Sequence, residues 1–246
     1  RYGEFYGYIA EGYFQSEEEI KKSPRQMREL APGDIKYKDL NDDGVIDAND
    51  QCYLGKSWFP SWSYGMGFNI NYHNFDLALF FQGVSDVSIM ANGGSIDTGN
   101  GDWGASGVGI VPFTGMGLNP SNVITKALDR WTADNPRADA WYPRMTANAT
   151  TNDNNYVNST HWLKDGSYLR LKQASLGYTL ENKKLMDKGI EYLYFYLSGQ
   201  NLLTFSKFKL WDPELGSNGA KYPLSRMVTL GMRVDRKSTR LNSSHH

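Results

Sequence analysis

Between Tyr64 and Val84 the chain alternates large apolar residues with small or polar ones. Tyr64, Met66, Phe68, Ile70 and Tyr72 are apolar, and Gly65, Gly67, Asn69 and Asn71 separate them. A period of two puts each set on its own side of a strand. His73-Asn74 interrupts the pattern, and asparagine tolerates the left-handed backbone of a tight turn. Phe75, Leu77, Leu79 and Phe81 then resume the apolar side against Asp76, Ala78 and Gln82, with Phe80 out of step. Each arm has about ten residues, the length a tilted strand needs to cross a bilayer. The spacing predicts a membrane hairpin from an outer-membrane β-barrel. A soluble β-sandwich uses the same alternation, so the remaining chain must separate the two.

The alternation returns three times. Ala174, Leu176, Tyr178 and Leu180 oppose Gln173, Ser175, Gly177 and Thr179. Leu193, Phe195 and Leu197 alternate with Tyr192, Tyr194 and Tyr196, and Leu202 to Leu210 extends that strand. Val228, Leu230, Met232 and Val234 alternate with Met227, Thr229, Gly231 and Arg233. Earlier, Phe5 to Phe14 reads as one strand, and Ser16 with Glu19 forms a capping-box pair for a helix over Ser16 to Lys22. Asn122 to Thr132 reads as a short amphipathic helix carrying Val123, Ile124, Leu128 and Trp131. From Ser85 to Thr160 no strand is predicted; glycines, Pro136, Pro143 and the polar run Asn148 to Asn158 mark irregular chain. Short connections fall at His73-Asn74 and Glu181 to Gly189, long ones at 15–61, 85–165 and 211–224. Strict alternation of short and long connections suits periplasmic turns and extracellular loops; a sandwich does not require it.

Composition narrows the reading. A net charge of −1 gives no footing for nucleic-acid binding. Mean hydropathy is −0.56, and the longest apolar runs fall far short of a helical span of about 20 residues. A barrel stays compatible, because its lumen and loops are polar. Cys52 is the only cysteine, so no internal disulfide forms. The chain opens without a signal peptide, on Arg1-Tyr2-Gly3-Glu4. On the barrel reading it is a fragment lacking its N-terminal part.

The most specific motif runs from Asp39 to Asp50. Side-chain oxygens from Asp39, Asn41, Asp43, Asp47 and Asp50 occupy loop positions one, three, five, nine and twelve, and Gly44 stands at the sharp turn. Val45 offers its carbonyl, and Ile46 can pack inward as an anchor. A hard cation needs about six oxygens at about 2.4 Å, which this spacing supplies. Without a cation the crowded carboxylates repel one another. The predicted ion is a structural calcium. Asp50 replaces the usual glutamate, and the flanking Ile35-Lys36-Tyr37-Lys38 looks extended, so the loop resembles dockerin-type calcium loops more than an EF-hand. An acidic turn without metal is the plainer alternative.

No catalytic spacing stands out, and no enzyme activity is predicted. His73 lies in a turn, His161 before a strand, and His245 and His246 at the terminus. Trp58 to Trp62 lies where an interface belt is expected, or in an aromatic core. Trp103, Trp141 and Trp162 could stack on sugar, although interface aromatics are the commoner use.

With these residues in view, the chain resembles the C-terminal part of a SusC/RagA-type TonB-dependent outer-membrane transporter. The matching stretches are Gly33 to Asn41 with Asp43 to Asp47; Phe75 to Gly83; Ser167 to Lys172 with Ser175 to Tyr178; and Leu197 to Phe205. The resemblance implies an all-β fold, the C-terminal strands of a 22-stranded antiparallel transmembrane barrel with long extracellular loops. It implies import of glycans or peptides across the outer membrane of a Bacteroidetes-type Gram-negative cell. Its partners would be a SusD-like surface lipoprotein, TonB (through the missing N-terminal part), cargo and outer-membrane lipid. The barrel portion is expected over 1–234. Residues 235–246, polar and unpatterned, are expected to be a non-native tail. The alternative is a soluble calcium-stabilised carbohydrate-binding β-sandwich module.

Overall fold

The computed structural model describes residues 3–92, 125–145, 153–217 and 222–236. It divides the chain into two units: one of segments 63–84, 168–205 and 224–246, the other of segments 1–62, 85–167 and 206–223.

The first unit is an open five-stranded sheet ordered β11-β10-β9-β6-β5. These strands are β5 (Trp62–Tyr72), β6 (Phe75–Ser85), β9 (Tyr168–Leu180), β10 (Ile190–Ser206) and β11 (Met227–Arg236). Each long strand lies beside the previous one, and the β6–β9 and β10–β11 pairs are antiparallel. All five predicted alternating segments form strands. The turn residue with positive φ is His73 (φ 50°) rather than asparagine. Glu181 to Gly189 carries a short helix, α3 (Lys183–Met186). β10 extends as expected but stops at Ser206 rather than Leu210, and β11 continues through Asp235 and Arg236, which pair with Tyr192 and Ile190. Two residues assigned to the tail therefore belong to a strand; 237–246 lie outside the described residues. No closed barrel is present among the described residues.

The register explains an irregularity in the sequence. Leu169 and Leu171 are odd-numbered, whereas Ala174, Leu176 and Tyr178 are even-numbered. Phe80 pairs with Gln173 but Phe81 with Leu171, so the ladder skips Lys172. This bulge flips the phase of β9 and keeps both apolar sets on one side. Phe80, out of step in the sequence, covers Gly65 and Gly67 on the polar side of β5, where side chains are missing.

The second unit has short strands and an aromatic core. β1 (Glu4–Gly7) pairs with β4 (Cys52–Ser57), β2 (Ala10–Tyr13) with β3 (Ile35–Tyr37), and β7 (Ser88–Met90) with β8 (Leu163–Asp165). The single strand predicted over Phe5 to Phe14 is thus two strands with different partners. The strand-free interval after Ser85 contains β7. Helix α1 (Glu17–Lys22) is capped as predicted: Glu19 N donates to Ser16 Oγ at 3.3 Å. The Glu19 carboxylate reaches Gln15 N at 2.9 Å rather than the cap residue. The helix predicted over 122–132 is only a 3-10 turn, Thr125–Leu128; 122–124 lie outside the described residues, and Leu128 is exposed while Ala127 and Trp131 are buried.

This core gathers Tyr13, Ile35, Tyr37, Ile46, Tyr142 and Trp162. It is knitted by polar groups from helix α2 (Asp153–Tyr156). Buried Asn155 accepts from Ile35 N at 2.8 Å and donates to Asp34 Oδ1 at 2.8 Å. Asp34 also receives Arg144 through two 3.0 Å bonds. Tyr37 Oη donates to the Asn154 carbonyl at 2.6 Å, and Trp162 Nε1 to that of Asn155 at 2.7 Å. Burying a carboxylate is costly unless it is hydrogen-bonded and paired in this way. The motif Gly33-Asp34-Ile35-Lys36-Tyr37 is therefore a core element. At Gly33 (φ 93°) a β-carbon would collide with Trp131.

Candidate functional site

The feature that defines the first unit is the difference between its two sides. Paired residues share a side, so the β6–β9 and β10–β11 registers assign each strand. One side carries Phe75, Leu77 and Leu79 opposite Tyr178, Leu176 and Ala174, and Leu193, Phe195 and Leu197 opposite Val234, Met232 and Leu230. Phe68 of β5 joins it through an edge-on contact with Phe81, centroids 6.3 Å apart. Many of these apolar side chains are exposed, Phe68 at 49%, Leu176 at 46%, Leu197 at 47% and Leu230 at 80%, while Leu77, Leu79, Ala174, Tyr178 and Leu193 are half-buried. A water-facing sheet does not present a continuous apolar side of this size without a function. The β-sandwich alternative would bury these residues against a second sheet; among the described residues no second sheet covers them.

The other side is polar and interlocked. Tyr194 Oη donates to Asp76 Oδ2 at 2.9 Å. Arg233 Nη2 donates to Tyr192 Oη at 3.1 Å, and its guanidinium lies 5.3 Å from the Tyr194 ring centroid. Tyr194 and Tyr196 stack at 6.0 Å. Gly177 lies under the Tyr194 hydroxyl and Gly231 under the Tyr196 ring. Tyrosine rings lying flat over glycines fill places where strands would otherwise be bare. Trp58, Phe59 and Trp62, near the start of β5, are exposed, as an interfacial belt requires and a core cluster does not.

The acidic loop has the predicted shape. Gly44 (φ 84°) and Asp42 (φ 58°) make the sharp turn, and β3 precedes it. Ile46 is buried in the core as its anchor, whereas Val45 is exposed. Asp39 Oδ2 accepts from Gly44 N (2.8 Å), Asn41 Oδ1 from Asp43 N (3.1 Å), Asp43 Oδ1 from Val45 N (2.9 Å) and Asp47 Oδ1 from Asn49 N (2.7 Å). Asp50 is fully buried and accepts from Leu40 N and Asp47 N, both at 2.8 Å. Burial alone would raise its pKa, but the amides of Asp47, Leu40 and Asn41 outweigh it and hold the carboxyl below the usual range. Asp39 Oδ1 is buried with no hydrogen-bond partner. Among the described residues, no three acidic, histidine or cysteine side chains converge as a metal centre.

The remaining candidates separate. Trp162 is fully buried and is a core residue, not a sugar platform. Trp141 is half-buried beside it, centroids 5.6 Å apart, and Trp103 lies outside the described residues. His161 is packed edge-on against Tyr13 and Trp162, and burial, with Lys164 nearby, pushes its pKa down to about 4. The sequence reading missed Asn154 and Asn155. Only their position inside a polar run that nonetheless carries Tyr156 and Val157 hinted at burial.

A sheet apolar on one side, polar on the other, and connected strand to next strand has the local pattern expected of a membrane-barrel wall. No family profile matches the chain. Two curated proteins of Formosa agariphila do. "TonB-dependent receptor P26" is 30% identical over 239 residues, covering 91% of this chain. "TonB-dependent receptor P3" is 28% identical over 248 residues, covering 94%. The chain spans about a fifth of their length, 21% and 22%. Among solved structures, the RagAB peptide transporter superposes over 94% of this chain and 22% of its own, with a TM-score of 0.62 and 22% identity. The open-open state of the RagAB peptide importer gives a TM-score of 0.61. The sequence matches relate this chain to a segment of TonB-dependent receptors, and the fold of the described residues is that of a segment of the RagAB transporter, in line with the resemblance.

Proposed function

We propose that the five-stranded sheet is part of the wall of an outer-membrane β-barrel whose full chain imports nutrients under TonB control. The apolar side faces lipid and the tyrosine-lined side faces the interior. The second unit is built largely from the long connections. The full protein would have 22 strands, pair with a SusD-like lipoprotein and carry a glycan or peptide. The observation that carries this reading is the exposed apolar side opposite a hydrogen-bonded polar one. The test is fluorescence quenching in the full-length receptor reconstituted with brominated lipids. Tryptophan introduced at Leu230 is expected to be quenched, and tryptophan at Thr229, one residue along on the opposite side, is not. Equal quenching, or recovery of the receptor in the soluble fraction, would overturn it.

The acidic loop is proposed to bind a structural calcium ion. Its unpartnered Asp39 Oδ1 and its buried, ionised Asp50 support this. A carboxylate accepts several bonds, so the turn amides and a cation do not exclude each other. The ion would have to draw Asp39, Asn41, Asp43, Asp47, Asp50 and the Val45 carbonyl closer together than they stand now, and would then stiffen the loop without taking part in transport.

A further inference from the structure

We infer that the cavity beside Trp141 in the second unit binds an acidic saccharide, a sugar carrying a carboxylate or sulfate. The cavity is about 580 Å³, within the range of small-molecule sites and large enough for one or two sugar rings. Among the described residues its lining brings together Lys126, Lys164, Lys207 and Lys209 with a single acidic residue, Asp165. Thr125, Trp141, Phe208 and Leu210 are the other described lining residues.

The charges do not cancel. Lys126 is matched by Asp129 at 2.7 Å, and Lys207 reaches Asp165 only at 3.9 Å. Among the described residues no carboxylate lies within ion-pair distance of Lys164 or Lys209. Lys164 is partly buried, with its ammonium 5.3 Å from the centroid of the Trp141 ring. Desolvation lowers its pKa, so a half-buried ammonium waits for an anion. Lysine is a point charge without the bidentate fork of arginine, which suits sulfate or carboxylate held at varied angles. The half-buried indole of Trp141 adds flat apolar surface, which the C–H side of a sugar ring can use and an acidic side chain alone does not need, with buried Phe208 backing the cavity wall. Together they favour an acidic sugar over an acidic peptide.

This assignment rests on the transporter reading only for its purpose, since it names the cargo class; binding itself needs neither membrane insertion nor TonB. The experiment is calorimetric titration of the detergent-solubilised full-length receptor with trigalacturonate, neutral galactotriose and triglutamate. Trigalacturonate is expected to bind, more weakly as salt is raised. The double substitution Lys164→Gln, Lys209→Gln is expected to weaken it at least tenfold, and Lys164→Arg to retain most of it. Galactotriose is expected to bind at least tenfold more weakly. Trigalacturonate affinity unchanged in the double variant, with circular dichroism confirming an intact fold, would overturn the site. Triglutamate binding as tightly as trigalacturonate would overturn the sugar assignment. The lipid-quenching result is independent of these titrations, so failure of one reading is distinguishable from failure of the other.

Discussion

Tyr194 on β10 reaches over Gly177 on β9, with its hydroxyl hydrogen-bonded at 2.9 Å to Asp76 on β6. A β-carbon at position 177 would collide with both the hydroxyl and the carboxylate. Gly177→Ala is therefore expected to destabilise the assembled receptor by about 1–3 kcal/mol through overpacking. Tyr194→Phe should cost about 1–2 kcal/mol by stranding Asp76. Because the phenylalanine removes one colliding atom, the two effects should be non-additive in a double-mutant cycle. Urea titration read by heat-modifiable electrophoretic migration measures all three.

Leu230 and Thr229 are neighbours on β11 that face opposite sides of the sheet. Leu230→Arg is expected to cost about 2–4 kcal/mol if the residue lies near the bilayer midplane. Thr229→Arg should be nearly neutral. Assembly yield in liposomes reports the difference, and equal yields would contradict the assignment of sides.

The bulge that skips Lys172 keeps Leu169 and Leu171 on the apolar side. Deleting Lys172 would turn Leu169 and Leu171 to the polar side and Arg170 to the apolar one. The deletion is expected to abolish barrel assembly, whereas Lys172→Ala should leave assembly intact. Protease resistance of the membrane fraction separates the outcomes.

His161 gives the second unit a pH dependence. Its pKa is about 4 in the folded state against 6.5 ordinarily. The unfolded segment binds the proton first, so stability is fully present above pH 6.5 and falls between pH 6.5 and about 4. The loss is up to about 3 kcal/mol. Amide exchange over residues 156–164 should accelerate at pH 4.5 relative to pH 7.5, after correction for intrinsic rates. His161→Phe should flatten that dependence.

Calcium, if bound as proposed, should slow amide exchange over Asp39 to Asp50. Asp39→Asn should remove the calcium effect while preserving the bond to Gly44. Identical exchange with calcium and with chelator would remove the ion and leave an amide-stapled acidic turn.

The long strands were legible because each keeps a period of two over many residues. The phase flip in β9 was also visible, as Leu169 and Leu171 against Ala174 and Leu176, but its meaning depends on Phe80 and Phe81 in another strand. The short strands of the second unit were poorly legible. β1 and β2 look continuous, and only their different partners divide them. Asn154 and Asn155 look like loop residues because asparagine usually is one; here they replace backbone partners that irregular chain cannot supply for itself. The acidic loop was legible in its turn and its Ile46 anchor, since both depend on local spacing.

β5 and β11 pair on one edge only among the described residues. Left alone in water, such rims would recruit other copies of the sheet and polymerise. Left alone in hydrocarbon, their amides would have nothing to bond. If the sheet is barrel wall as proposed, neither solvent tolerates it half-built, and both rims have to be zipped to neighbouring strands before or during insertion.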